Sequence, residues 1–152
     1  SKSLVGCGGY VCGTRPLIEI LRARAPGLVY SVGMPAPTAA ASLAALGILR
    51  REPERVTQLQ ANSRRLMEGL QAQGVDTGPA WGVAIIPAVV GTDLKALQAA
   101  EAMEAKGVLA FPVVSPGVPE GAARLRFFVS AAHTPAELDQ ALAATREVLA
   151  RR

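Results

Sequence analysis

Aromatic side chains are scarce in this chain. One Trp, two Tyr and three Phe make up 4% of its 152 residues. That argues against a core built on large rings and favours close packing of alanine-rich helices. Histidine occurs once, at His133, and cysteine twice. With no second histidine, no cysteine cluster and no acidic triplet, no catalytic metal is expected. Cys7 and Cys12 have neither the spacing of a redox pair nor that of a metal site. Reduced thiols in a cytoplasm are the simpler expectation. No apolar run approaches the roughly 20 residues that span a bilayer, and the start lacks the charged-then-apolar plan of a signal peptide. A soluble intracellular protein with no membrane partner follows. A Ser-His-Asp hydrolase is not expected either, because no glycine-flanked serine elbow is present.

Charge is thin at 18%, while half the residues are apolar, so the chain is expected to fold. The net charge of +4 invites a nucleic-acid reading. The arginines, however, are scattered singly or in pairs along predicted helices, without the aromatic interleaving of a base-stacking surface. No nucleic-acid partner is expected. A basic surface suits anionic cofactors and CoA-like thioesters equally well.

The length accommodates one ordinary domain, or parts of two. Gly9–Gly13 reads as a short strand, followed by a helix over about Arg15–Arg24 with Thr14 as its cap and Pro16 in its first turn. Leu28–Ser31 reads as a second short strand. Gly33, Met34, Pro35 and Pro37 form a rigid turn before an alanine-rich helix over Thr38–Leu49. Proline at position 53 favours a new helix start, so the boundary is expected near Arg51, giving domains 1–51 and 52–152. A long helix should cover Pro53–Gln73 with Val56, Leu59, Ser63, Leu66 and Leu70 as its buried row. Beyond it, Val83–Val90 reads as a strand placed near an edge by Pro87. Thr92 or Asp93 caps a helix that Gly107 stops. Val108–Phe111 and Arg124–Val129 read as further strands around a proline-rich loop, 112–121. Thr134-Pro135-Ala136-Glu137 is a full helix-start signature. The second domain is thus expected to be α+β, a sheet with helices on one face.

Two places could carry chemistry. Lys2 sits among small residues, Ser1-Lys2-Ser3-Leu4, before a glycine-rich turn, Gly6 to Gly9. A lysine packed there can be a solvated charge or a partly desolvated amine, whose lowered pKa favours Schiff-base formation. Arg124 and Arg126 stand two apart on a predicted strand and so share a face. They read either as surface charges on a sheet edge or as planar forks for a carboxylate. His133 is expected to shape its loop.

The Ser-Lys-Ser-Leu and Gly-Gly-Tyr-Val motifs are followed in order by Tyr30-Ser31-Val32-Gly33-Met34-Pro35, then by Ala123-Arg124-Leu125-Arg126 and Ser130-Ala131-Ala132-His133-Thr134. Together they resemble the α-oxoamine synthases, pyridoxal-phosphate (PLP) enzymes of the aspartate-aminotransferase fold. The resemblance implies an α/β fold, the C-terminal part of a fold-type I PLP-dependent transferase. The edge of a large α/β domain would be followed by a small α+β C-terminal domain. It implies a PLP-dependent acyltransferase that joins an amino acid to an acyl thioester, usually with decarboxylation. Lys2 would be the catalytic and cofactor-bearing lysine, Ser31 and Gly33 would help bind the cofactor phosphate across a homodimer interface, and Arg126 would hold the amino-acid carboxylate. Arg124 would support it. Many relatives carry Ser or Thr where Gly33 stands. Family proteins are more than twice as long, and their missing N-terminal half supplies a ring-stacking group and an acidic partner for the pyridine nitrogen. The segment by itself is therefore expected to be inactive. The competing expectation is an autonomous α+β ligand-binding or interaction module without catalysis.

Overall fold

The computed structural model describes residues 2–150. Ser1, the hydroxyl residue before the candidate lysine, lies outside the described residues. The chain forms two compact units, Ser1–Pro53 and Glu54–Arg152.

The first unit is helical. Helix α1 spans Arg15–Arg24, with Pro16 in its first turn. Thr14 occupies the cap position with extended backbone, but its hydroxyl makes no capping bond. The Leu28–Ser31 segment is not a strand. Pro26–Val29 forms a single helical turn, α2, in which the Leu28 and Val29 N–H groups both donate to the Ala25 carbonyl, at 3.0 and 2.9 Å. Gly9–Gly13 is likewise without strand pairing. Both segments have strand-like composition, but a ladder needs a neighbour, and the described residues 2–53 contain no strand to pair with. Local hydrogen bonds satisfy the backbone instead.

Helix α3 covers Ala36–Arg51 and ends where the Glu52 N–H meets the Ile48 carbonyl, just before Pro53. Its Ser42 hydroxyl donates to the Leu4 carbonyl at 3.0 Å and ties the lysine segment to the helix. Gly6 is needed for that approach, since a Cβ there would lie 2.6 Å from Thr38 Cγ2. No described residue of this unit is fully buried. Large apolar side chains stay open to solvent, among them Tyr10 at 76%, Leu43 at 72% and Val32 fully.

The second unit has its own core. Helix α4 spans Glu54–Ala72, β1 Ile85–Gly91, α5 Asp93–Glu104, β2 Phe111–Val113, β3 Ala123–Phe128 and α6 Pro135–Leu149. The strands form an antiparallel sheet in the order β1-β3-β2. Pro87 sits on an edge strand, where a missing N–H leaves no ladder bond unmade. One face carries Ile86, Ala88, Leu125 and Phe127, buried with Leu66 and Leu70 of α4, Met103 of α5 and Leu138 of α6. The α4 row is buried from Ser63 onward, whereas Val56 in its first turn is 41% exposed. Ser63 keeps its hydroxyl satisfied by donating to the Leu59 carbonyl and accepting from the Ala84 N–H.

Strand β2 begins later than the expected Val108–Phe111. The stop of α5 uses up Val108, whose N–H returns to the Met103 carbonyl at 3.0 Å, with Gly107 in the left-handed region at φ 76°. Pairing with β3 then starts at Phe111 and takes in Pro112 and Val113, residues expected in the loop. The α6 signature forms a complete capping box between Thr134 and Glu137.

Candidate functional site

The candidate residues fall in both units. Lys2, Ser31 and Gly33 belong to the first and Arg126 to the second.

Lys2 opens a tight turn in which its carbonyl accepts the Val5 N–H at 3.0 Å. Val5 holds φ at 45°, the left-handed region that a β-branched residue rarely occupies. Backbone strain of this kind costs on the order of 1–3 kcal/mol and concentrates at functional segments. Lys2 lines an open cavity of about 740 Å³, together with Cys7, Tyr10, Met34, Ser42 and Leu43. That volume lies within the usual range for a small-molecule or cofactor site, about 300–1,000 Å³. Lys2 is an exposed residue of this unit.

Ser31 and Gly33 do not line that cavity. They form an exposed turn in which the Gly33 N–H donates to Ser31 Oγ at 3.2 Å. The Gly33 N–H is thereby engaged, while the Ser31 hydroxyl keeps its own proton to donate. Gly33 has φ 79° and open space where a Cβ would stand. A Ser or Thr there would fit sterically but would strain the backbone.

In the second unit, alternation along β3 places Arg124, Arg126 and Phe128 on the face away from the helices. Arg124 Nε donates to the Ala122 carbonyl at 2.9 Å, so that side chain is held on its own strand. Arg126 has another environment. Register sets it between Pro87 of β1 and Phe111 of β2. Its guanidinium carbon lies 4.8 Å from the Phe128 ring centre and 5.6 Å from that of Phe111. Its Nε is buried without a hydrogen-bond partner. Among the described residues no carboxylate forms an ion pair with it. Sequence reasoning missed both rings, although alternation alone puts Phe128 beside Arg126; Phe111 needed the cross-strand register.

His133 organises its loop. Its Nδ1 accepts the Ser130 N–H at 3.1 Å and its carbonyl accepts from Asn62. Beside it, hydrogen bonds from the Thr134 backbone and hydroxyl hold the Glu137 carboxyl below its ordinary range. The nearby His133 adds a smaller push the same way, against slight desolvation.

Comparison with known proteins places these features in a family. The model for "Aminotransferase class I and II" matches residues 1–144. This chain belongs to that family. It is 42% identical over 148 residues to an 8-amino-7-oxononanoate synthase from Symbiobacterium thermophilum, covering 97% of this chain and 38% of that protein. Among solved structures it resembles serine palmitoyltransferase (SPT) with PLP, at a TM-score of 0.87 and 24% identity, over 97% of this chain and 37% of that one. It also resembles the 8-amino-7-oxononanoate synthase of Francisella tularensis, at a TM-score of 0.76 and 20% identity, over 90% and 39%. The family fold is thus that of the fold-type I PLP transferases, and this chain spans well under half the length of the relatives it matches. Family membership does not favour the stand-alone, non-catalytic module. Among the described residues no helix is long and apolar enough to cross a membrane.

Proposed function

We propose that the chain is the C-terminal part of a PLP-dependent acyltransferase of the α-oxoamine synthase type. The whole enzyme would condense an amino acid with an acyl thioester, on CoA or on an acyl carrier protein, usually with loss of CO₂. The observation that carries this reading is Lys2, set at a strained turn on an open cavity of about 740 Å³. A primary amine bordered by small residues fits the attachment of PLP.

PLP when bound supplies an electron sink for a carbanion at the amino acid's α-carbon. The remaining work falls to side chains. The Lys2 amine takes the proton from the substrate's Cα. The Arg126 guanidinium binds and orients the substrate's carboxylate. The Ser31 hydroxyl would donate a hydrogen bond to an anionic oxygen of the cofactor phosphate, and Gly33 gives its turn the conformation that presents it.

We assign residues 1–51 to the edge of the large cofactor-binding domain and 52–152 to the small C-terminal domain. In support, the first unit leaves its large apolar side chains uncovered. A partner surface from the N-terminal half of the enzyme and from a second subunit would cover them. The exposed turn, with Tyr30 at 88% and Val32 fully open, is assigned to the interface of a homodimer, where it completes the neighbouring cofactor site. The exposed free thiols of Cys7 and Cys12 suit the reducing cytoplasm.

The test is a condensation assay on the full-length protein with PLP, a panel of small α-amino acids and acyl-CoA thioesters, followed by release of free thiol. Thiol release that depends on both the amino acid and PLP is expected. Release without the amino acid would point to plain thioester hydrolysis and end the proposal.

A further inference from the structure

Arg126 is held in an unusual way for a cation on a sheet. The chain has three phenylalanines. Phe127 is buried in the core, and the other two flank this one guanidinium. Phe128 stands two residues along the same strand and Phe111 directly opposite on β2. Both rings are within the roughly 6 Å at which a ring face attracts a cation, at 4.8 and 5.6 Å. Phe128 and Phe111 remain 53% and 54% exposed, outside the buried cluster that Phe127 joins.

A carboxylate would hold an arginine more firmly, but it would occupy the donors and cancel the charge. Ring faces attract the guanidinium without supplying a counter-charge. The fork is thereby steadied and left unneutralised, with a buried Nε that still lacks an acceptor. An incoming carboxylate meets donors whose orientation has already been fixed, which removes part of the ordering cost of binding.

We propose that Phe111 and Phe128 are positioning residues that clamp Arg126 and keep its donors free for the amino-acid carboxylate. This rests on the carboxylate role given to Arg126 above. Phe128 dominates, being the nearer ring, and Phe111 adds a second, weaker restraint from the neighbouring strand.

The test uses the full-length protein with PLP and no acyl thioester, so that binding is read without turnover. Phe128 is replaced by 4-fluoro-, 3,5-difluoro- and 3,4,5-trifluorophenylalanine, which keep the ring's shape while draining charge from its face. Glycine, L-alanine and L-serine are titrated calorimetrically, each beside its own amide, which lacks the carboxylate. Affinity for the amino acid is expected to fall stepwise with fluorination, by about threefold to tenfold across the series, with the amide unchanged. Phe128→Tyr should keep near-normal affinity and Phe128→Leu should match the trifluoro variant. If fluorination changes nothing while Arg126→Ala weakens the amino acid, the clamp is wrong and the carboxylate role stands. If Arg126→Ala also binds normally, both fall.

Discussion

Removing the Arg126 side chain should weaken amino-acid binding by a predictable amount. The guanidinium has no ion pair among the described residues, and its Nε has no acceptor. Arg126→Ala therefore breaks no internal salt bridge and strands no buried acid. The loss reduces to the contact with substrate. A hydrogen bond to a charged group is worth about 1.5–3 kcal/mol, and about 1.4 kcal/mol is tenfold in affinity, so a drop of roughly tenfold to a hundredfold follows. The flanking rings are already half-exposed, so stability should change little. Arg126→Lys should recover only part of the loss, because an ammonium lacks the planar fork and stacks less well between two rings. The assay is titration of the full-length, PLP-loaded protein with the amino acid, alongside thermal unfolding. Normal affinity in Arg126→Ala would refute the assignment. Equal losses for the amino acid and its amide would do the same, since the contact is meant for the carboxylate.

Other consequences can be checked singly. Lys2→Ala should abolish turnover in the full-length enzyme and weaken retention of PLP, followed by absorbance after gel filtration; normal turnover would overturn the whole functional reading. Leu125→Ala, at a fully buried position on the central strand, should cost about 2–5 kcal/mol, read from the denaturant midpoint. Thr134→Ala removes the side-chain half of the α6 capping box and should cost about 0.5–2 kcal/mol. The Glu137 carboxyl is held below its unfolded value, so its contribution is fully present above that value, about 4.3, and disappears as pH falls through the folded one. Glu137→Gln should therefore flatten the acid limb of the stability–pH profile, and Thr134→Ala should do so only in part because the Thr134 backbone N–H still donates to the carboxylate; an unchanged limb in Glu137→Gln would count against the box.

Legibility in the sequence followed how local the deciding forces were. Helix α1 was readable from its first-turn proline and apolar spacing, although its Thr14 cap bond does not form, and the α6 start from its cap and proline, signals that act within a few residues. The end of α3 was readable for the same reason, since Pro53 cannot continue a helix without strain. The misread segments depended on partners. Gly9–Gly13 and Leu28–Ser31 have strand-like composition, but no strand of the described first unit is available to pair with them, so one stays irregular and the other coils into a turn. Strand β2 shifted because the α5 stop claimed Val108 and the register with β3 chose Phe111–Val113. The candidate site divided along the same line. Lys2 and Arg126 were singled out as candidates from short motifs and alternation. The rings about Arg126 arise in part from strand pairing across 15 residues of sequence, counted from Phe111 to Arg126, which no local pattern announces.

The most direct measurement asks where the cofactor attaches. The full-length protein is loaded with PLP, reduced with borohydride to fix the cofactor covalently, digested and mapped by mass spectrometry. A pyridoxyl label is expected on the peptide carrying Lys2, and none in Lys2→Ala. A label on Lys95, Lys106 or any other lysine, with the Lys2 peptide unmodified, would contradict that assignment.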